Sequence, residues 1–190
     1  MKIIGIGREL PGQVYLMADS AVVKTGKPFF VPHFAHNFTG TPALVMHIDR
    51  LGKHIAPRFA HRYCLAVAPA IKVTARGIDA EQHHQATSAL AHSFDGALLL
   101  GDFTTSDSIA QGINGSLITV ERNGQQAAQG SLDALGLDFR QLIAQLSVYF
   151  TLKMGDMIAV ELAAATLELT PGDTLHAAIN GDLKLTTRVK

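Results

Sequence analysis

The sequence predicts a β-rich α+β fold, and three observations carry that prediction. The first hundred residues break into short apolar runs separated by Gly and Pro, the punctuation of strands and turns. Two dipeptides, Asn123-Gly124 and Asn180-Gly181, supply the φ > 0 pair that tight hairpins require. One long segment, "SLDALGLDFRQLIAQLSVYFTL", carries a clear helical period.

Lys2 to Ile6, Gln13 to Met17, Ala21 to Lys24 and Phe29 to Val31 read as the opening strands. Ala43 to Arg50, apolar at Leu44, Val45, Met46 and Ile48, runs as a fifth strand into a Leu-Gly-Lys turn. A helical turn over Pro57 to Arg62 leads into a strand from Tyr63 to Ala75. Asp79 to His92 lacks Gly and Pro and reads as a helix. Ala97 to Gly101 returns to strand, and Ser116 to Arg122 with Gln125 to Gly130 forms a hairpin. In the long helix Phe139, Leu142, Ile143, Leu146 and Phe150 share one stripe, which should lie on a sheet as core. Met157 to Glu161, Thr174 to Ile179 and Leu183 to Val189 are the closing strands, the last two joined at Asn180-Gly181-Asp182. There is no linker, repeat or low-complexity stretch, so residues 1–190 are expected to form one domain.

The composition excludes several function classes. Of the 190 residues, 47% are hydrophobic and 17% charged, the balance of a packed core. Sixteen Lys and Arg face sixteen Asp and Glu, which argues against nucleic acid as a partner, because phosphate binding needs clustered positive charge. No run approaches the ~18 apolar residues of a membrane span, and the opening "MKIIGIG" is too short for a signal peptide. A soluble, cytoplasmic protein without a membrane partner is expected. Cys64, the single cysteine, sits among apolar residues and reads as a buried, inert thiol.

Candidate chemistry is sparse. Between Asp19 and Asp79 one carboxylate, Asp49, stands against eight Lys and Arg. Hard cations need several oxygen ligands, so that stretch alone cannot build such a site. His33 and His36 have an H-x-x-H spacing but follow Pro32, in loop rather than helix, and metal is not expected there. No G-x-S-x-G, P-loop or G-x-G-x-x-G occurs.

Several stretches together resemble one family. They are "MKIIGIGR", "KPFFVP", "IDRLGKHIAPRFAHRY", "VTAR", "SFDG", "FTLKMGDMI" and "LTPGDTL". In that order and spacing they are similar to the fumarylacetoacetate hydrolase superfamily, above all its bacterial single-domain acylpyruvate hydrolases, isomerases and oxaloacetate decarboxylases. The resemblance implies a mixed β-roll with a few flanking helices, and an Mg²⁺ or Mn²⁺ ion held by a Glu-x-Glu strand and a later Asp. It also implies a His paired with a Glu to activate water, lysines to steady an enolate, and chemistry on a 2-oxo acid.

Carried over residue by residue, the resemblance puts the two glutamates on Thr41 and Ala43 and the aspartate on Lys72. Its histidine falls on Gln13 and its first lysine at or next to Ala18, while the lysine before "FDG" is replaced around His92. The segment carrying the partner Glu is missing, and the family's Gly-Thr-Pro-rich loop becomes Glu161-Leu162-Ala163-Ala164-Ala165. The matching residues, Arg50, Gly52, Phe94, Asp95, Gly101, Gly155 and Asp156, are of kinds that serve turns and packing. The sequence therefore reads as a catalytically inactive member of this family with no cofactor, acting as a binding or assembly protein.

Two other readings stand beside it. In the first, a hydrolase, isomerase or decarboxylase of a 2-oxo acid uses His47, Lys72, His92 and Glu161 in a relocated site, with His47 on the same strand face as Ala43. In the second, the cations between residues 20 and 78 bind a small anionic ligand. Lys72 is expected where the metal would lie, although such a side chain by itself reads as snorkelling or ion-paired. A homodimer is expected from the family's habit and the apolar composition.

Overall fold

A computed structural model describes residues 1–8, 13–78, 87–105, 107, 112–163 and 167–190. Its spine is a pair of thirteen-residue antiparallel strands, β4 (Ala35–His47) and β5 (Ala66–Ile78), in register from Ala35 opposite Ile78 to His47 opposite Ala66. β4 starts eight residues before the expected Ala43 and ends three short of Arg50, and β5 keeps the expected length but lies three residues later than Tyr63 to Ala75, because the polar stretches "AHNFTG" and "RGI" lack apolar alternation and gain strand geometry only by pairing with each other.

The other strands are β1 (Ile3–Ile6), β2 (Val14–Met17), β3 (Val22–Lys24), β6 (Leu98–Leu100), β7 (Thr104–Thr105), β8 (Ile118–Arg122), β9 (Gln125–Gly130), β10 (Met157–Glu161), β11 (Leu167–Glu168), β12 (Thr174–Ile179) and β13 (Asp182–Arg188). Among the described residues these strands and the β4–β5 pair form a nine-stranded mixed sheet, ordered β2-β1-β10-β4-β5-β6-β3 with β11 on β4 and β7 on β5, and a four-stranded sheet, β13-β12-β8-β9. Pro42 interrupts β4 without breaking it. Its carbonyl accepts from Leu162 N at 2.8 Å, at the point where the outer neighbour changes from β10 to β11. N–H and C=O of one strand residue point the same way, so the proton that proline lacks falls on that gap. Both predicted hairpin turns form, with positive φ at Asn123 (53°), Gly124 (78°), Asn180 (51°) and Gly181 (85°).

Among the described residues three helices flank the sheets: α1 (Thr87–Ser93), α2 (Gly112–Gly115) and α3 (Phe139–Tyr149), alongside a 3₁₀ turn at Pro57–Arg62. The long periodic segment is a helix only from Phe139, where Asp138 caps it by accepting from Arg140 N at 2.7 Å. Upstream, Gly136 at φ 65° ends a separate 3₁₀ turn, Asp133–Leu135. The stripe of α3 does lie on the sheet. Leu142, Ile143 and Leu146 join Ile4, Leu44, Met46 and Ile158 in one core cluster, while Ala43, Val45, Ala70, Leu175 and Leu185 belong to a second.

Two expectations need correction. Phe29 to Val31 is not a strand; only Phe29 makes an isolated bridge, to Val189. His36 lies within β4, not in a loop. The first part of the expected helix from Asp79 lies outside the described residues.

Asp156, from the set read as turn-forming, staples the start of β1 to that of β10. Its Oδ1 accepts from Lys2 N at 3.0 Å and its Oδ2 from Lys153 N at 2.8 Å, with the Lys2 ammonium also on Oδ2. Burial alone would raise the carboxyl's pKa, but the hydrogen bonds from Lys2 and Lys153 and the Lys2 charge hold it below its ordinary value. Asp156→Asn is expected to cost about 2 kcal/mol, the worth of charge-assisted hydrogen bonds to a buried group. Urea unfolding checks this, and a loss below about 0.5 kcal/mol would mean the contacts are incidental.

Candidate functional site

Strand alternation fixes which side chains meet on the nine-stranded sheet. Thr41 stands opposite Lys72, Ala43 opposite both Ala70 and Glu161, Val45 opposite Ala159, and Gly5 opposite both Ala159 and Tyr15. Tyr15, Glu161, Thr41, Ala43 and Lys72 therefore share one face. Strands separated by more than a hundred residues bring them together.

Gly5 makes the arrangement fit. A Cβ built on it would fall inside the Tyr15 ring, within 2.7 Å of Cδ2. Because Gly5 has none, the ring lies flat across β1, and its hydroxyl donates to Glu161 Oε1 at 2.8 Å. The other oxygen, Oε2, accepts from Arg8 N at 3.2 Å. His92 of α1 stacks on the tyrosine with ring centroids 4.8 Å apart. The Lys72 ammonium lies 5.4 Å from the centroid of the Tyr15 ring, close enough for a cation–π contact.

Lys72 is wholly buried, with 0% exposure, and its Nζ donates to the carbonyl of Val73. This corrects the snorkelling reading, since the charge never reaches water. Burial drives its pKa down to about 7, against the opposing pull of the Glu161 carboxylate. Burial also lowers His92, to about 4, helped by the positive charges of Lys72 and Arg76. Tyr15 is pushed up by burial and by Glu161, so its hydroxyl stays a donor. At neutral pH the cluster thus holds a partly neutral amine, a neutral imidazole and a phenol.

The remaining candidates divide cleanly. Gln13 lies beside Gly7, at the edge of the same face. Ala18 is exposed, past the end of β2. His47 shares the face, but it is six residues beyond Thr41, roughly 20 Å along the strand. It hydrogen-bonds Asp49 at 2.8 Å and contacts Phe103, so it does not join the cluster. Of the cations between residues 20 and 78, Lys72 and Arg76 converge on His92. Glu9, Leu10, Ala164 and Ala165 lie outside the described residues. The residue that sequence reading missed is Tyr15. Its only signal is one aromatic hydroxyl in "VYLM" facing the first glycine of "IIGIG", and pairing β1 with β2 is what reveals it.

The model of the fumarylacetoacetate (FAA) hydrolase C-terminal family matches residues 6–190. The chain belongs to the fumarylacetoacetate hydrolase family. It is 23% identical over 181 residues, 94% of this chain and 84% of the other, to the mitochondrial oxaloacetate tautomerase fahd-1 of Caenorhabditis elegans. Among solved structures it resembles a fumarylpyruvate hydrolase from Pseudomonas aeruginosa in complex with Mn²⁺ and pyruvate. That match has a TM-score of 0.82 at 18% identity and covers 99% of this chain and 88% of that one. It also resembles 2-hydroxyhepta-2,4-diene-1,7-dioate isomerase from Mycobacterium marinum, with a TM-score of 0.84 at 22% identity, covering 99% and 73%.

The donor set of this family member does not suit the divalent ion that the family resemblance implies. Thr41, Ala43 and Lys72 present a hydroxyl, a methyl and a partly protonated amine, where a hard cation needs anionic oxygens. Glu161 is the one carboxylate described in the cluster, and both its oxygens already accept hydrogen bonds.

Proposed function

We propose that this chain is a non-catalytic member of the fumarylacetoacetate hydrolase family, a binding or assembly protein. One observation carries the reading. Lys72, which the resemblance sets at the family's acidic ligand, is a wholly buried and partly protonated amine, sealed under the Tyr15 ring and tied to the Val73 carbonyl. Its protonated form repels a divalent ion at close range, and the two other ligand positions offer that ion no carboxylate.

Calorimetry with Mn²⁺, run beside assays on acylpyruvates and oxaloacetate, tests this. No saturable heat and no turnover are expected. Lys72→Asp alone is expected to leave both unchanged, because Thr41 and Ala43 still supply no charge. Micromolar Mn²⁺ binding that disappears on altering Glu161 would overturn the proposal.

One observation favours a second reading. A lysine brought to about pH 7 is partly a free amine, the form that condenses with a 2-oxo acid carbonyl to give an imine and water. Borohydride reduction in the presence of pyruvate, followed by mass spectrometry, separates the two readings. A stable adduct on Lys72 together with turnover would establish the second.

A further inference from the structure

We propose that a cavity on the opposite face of the same sheet, between α3 and the β1–β2 edge, binds an amphipathic monocarboxylate. Its apolar tail would lie on Ile6, Val160, Leu142 and Leu146, and its carboxylate would meet the Arg8 guanidinium. Val160 and Glu161 are neighbours on β10 and point to opposite faces, so this site is separate from the Lys72 cluster and holds whether or not the chain turns over 2-oxo acids.

The cavity has a volume of about 390 Å³, within the range of small-molecule sites. Ile6 and Val160 form its floor, and Leu142 and Leu146 of α3 form one wall. These four side chains are otherwise buried, with exposures of 9%, 0%, 8% and 4%. Val14 and Tyr149 border the opening and leave 43% and 76% of their surface to solvent. This happens because β2 is the edge strand of the sheet and α3 packs over its inner neighbours.

The polar chemistry in the lining selects the head group. Arg8 and Gln145 are its charged and amide side chains. Among the described residues the Arg8 guanidinium makes no ion pair, while its backbone N–H is held by Glu161. A planar guanidinium takes a carboxylate bidentately. One cation with a neutral amide matches a single negative charge, and a phosphate dianion would keep a charge uncompensated. Beyond Arg8, Gln145 and the Tyr149 hydroxyl at the opening, the lining side chains are apolar, so the part of the ligand lying on Ile6, Val160, Leu142 and Leu146 is hydrocarbon.

Decanoate, titrated calorimetrically into the intact chain below its micellar concentration, is the probe. Saturable 1:1 binding is expected, with none for decyltrimethylammonium at the same concentration. Arg8→Gln is expected to weaken binding about tenfold, the loss of one charge-assisted contact. Val14→Glu, at an exposed position that tolerates a charge, is expected to abolish it by repelling the carboxylate. Equal binding of the cationic amphiphile, binding unchanged in both variants, or no saturable heat would each overturn the proposal. So would sedimentation showing that a second copy of the chain covers this face and is not displaced by decanoate.

Discussion

Between about pH 7 and about pH 9 the chain is expected to become more stable, by about 2 kcal/mol, at up to ~1.4 kcal/mol per pH unit for one proton. The source is Lys72. Its pKa is about 7 in the folded protein and 10.5 as its ordinary value. In that window the unfolded chain binds a proton that the folded chain does not, so stability rises with pH. Below about 7 both states are protonated and the full penalty of burying the ammonium persists. Other buried groups act in other windows. His92, lowered to about 4 from 6.5, makes stability fall as pH drops through that lower range. Cys64, raised by burial to about 12 from 9.0, and Tyr15, raised from 10.0, reverse the gain above about pH 9. There the unfolded thiol and phenol ionise while the folded ones do not.

Thermal unfolding should therefore show a maximum near pH 9, with the midpoint climbing about 5 °C from pH 7, at about 2–4 °C per kcal/mol for a chain of this size. Lys72→Met should remove that climb and keep the fall above the maximum. A wild-type midpoint flat between these pH values, or a climb that survives in the variant, would show that the amine is not desolvated as the structure places it.

Gly5→Ala is expected to cost about 2–3 kcal/mol, although it adds one methyl group to a strand, where alanine is ordinarily tolerated. The methyl would occupy the Tyr15 ring, so the ring must leave. Leaving breaks the hydroxyl bond to Glu161, unstacks His92 and uncovers the Lys72 ammonium. The cost is thus a property of the pair rather than of the glycine. In a Tyr15→Ala background the same Gly5→Ala change should cost less than about 0.5 kcal/mol, a coupling near the upper range for contacting residues. Urea unfolding of the four proteins in the cycle measures it. Additive costs would mean that the ring has room to move and that Gly5 serves something else.

Much of the architecture was legible before any coordinates. The strands Met157–Glu161 and Thr174–Ile179, both Asn-Gly hairpins and the core stripe of α3 lie where periodicity and turn chemistry put them, because these signals are local. The ends of β4 and β5 were hidden, since "AHNFTG" has no apolar alternation and becomes strand only against its partner. The start of α3 was placed too early, because the apolar period runs through Gly136, whose positive φ separates two helical pieces.

At the candidate site the sequence by itself determined the residue types, a hydroxyl at Thr41, a methyl at Ala43 and an amine at Lys72, with no carboxylate among the three. Only the tertiary structure decided the state of that amine. A sequence lists side chains, but the pKa of a lysine depends on how completely water is excluded from it. That follows from β2, β10 and α1 closing over β5, from sequence positions as distant as Tyr15 and Glu161. Tyr15 and Gly5 belong to the cluster because antiparallel pairing sets one against the other, and this register is fixed by the whole sheet rather than by either residue's neighbours.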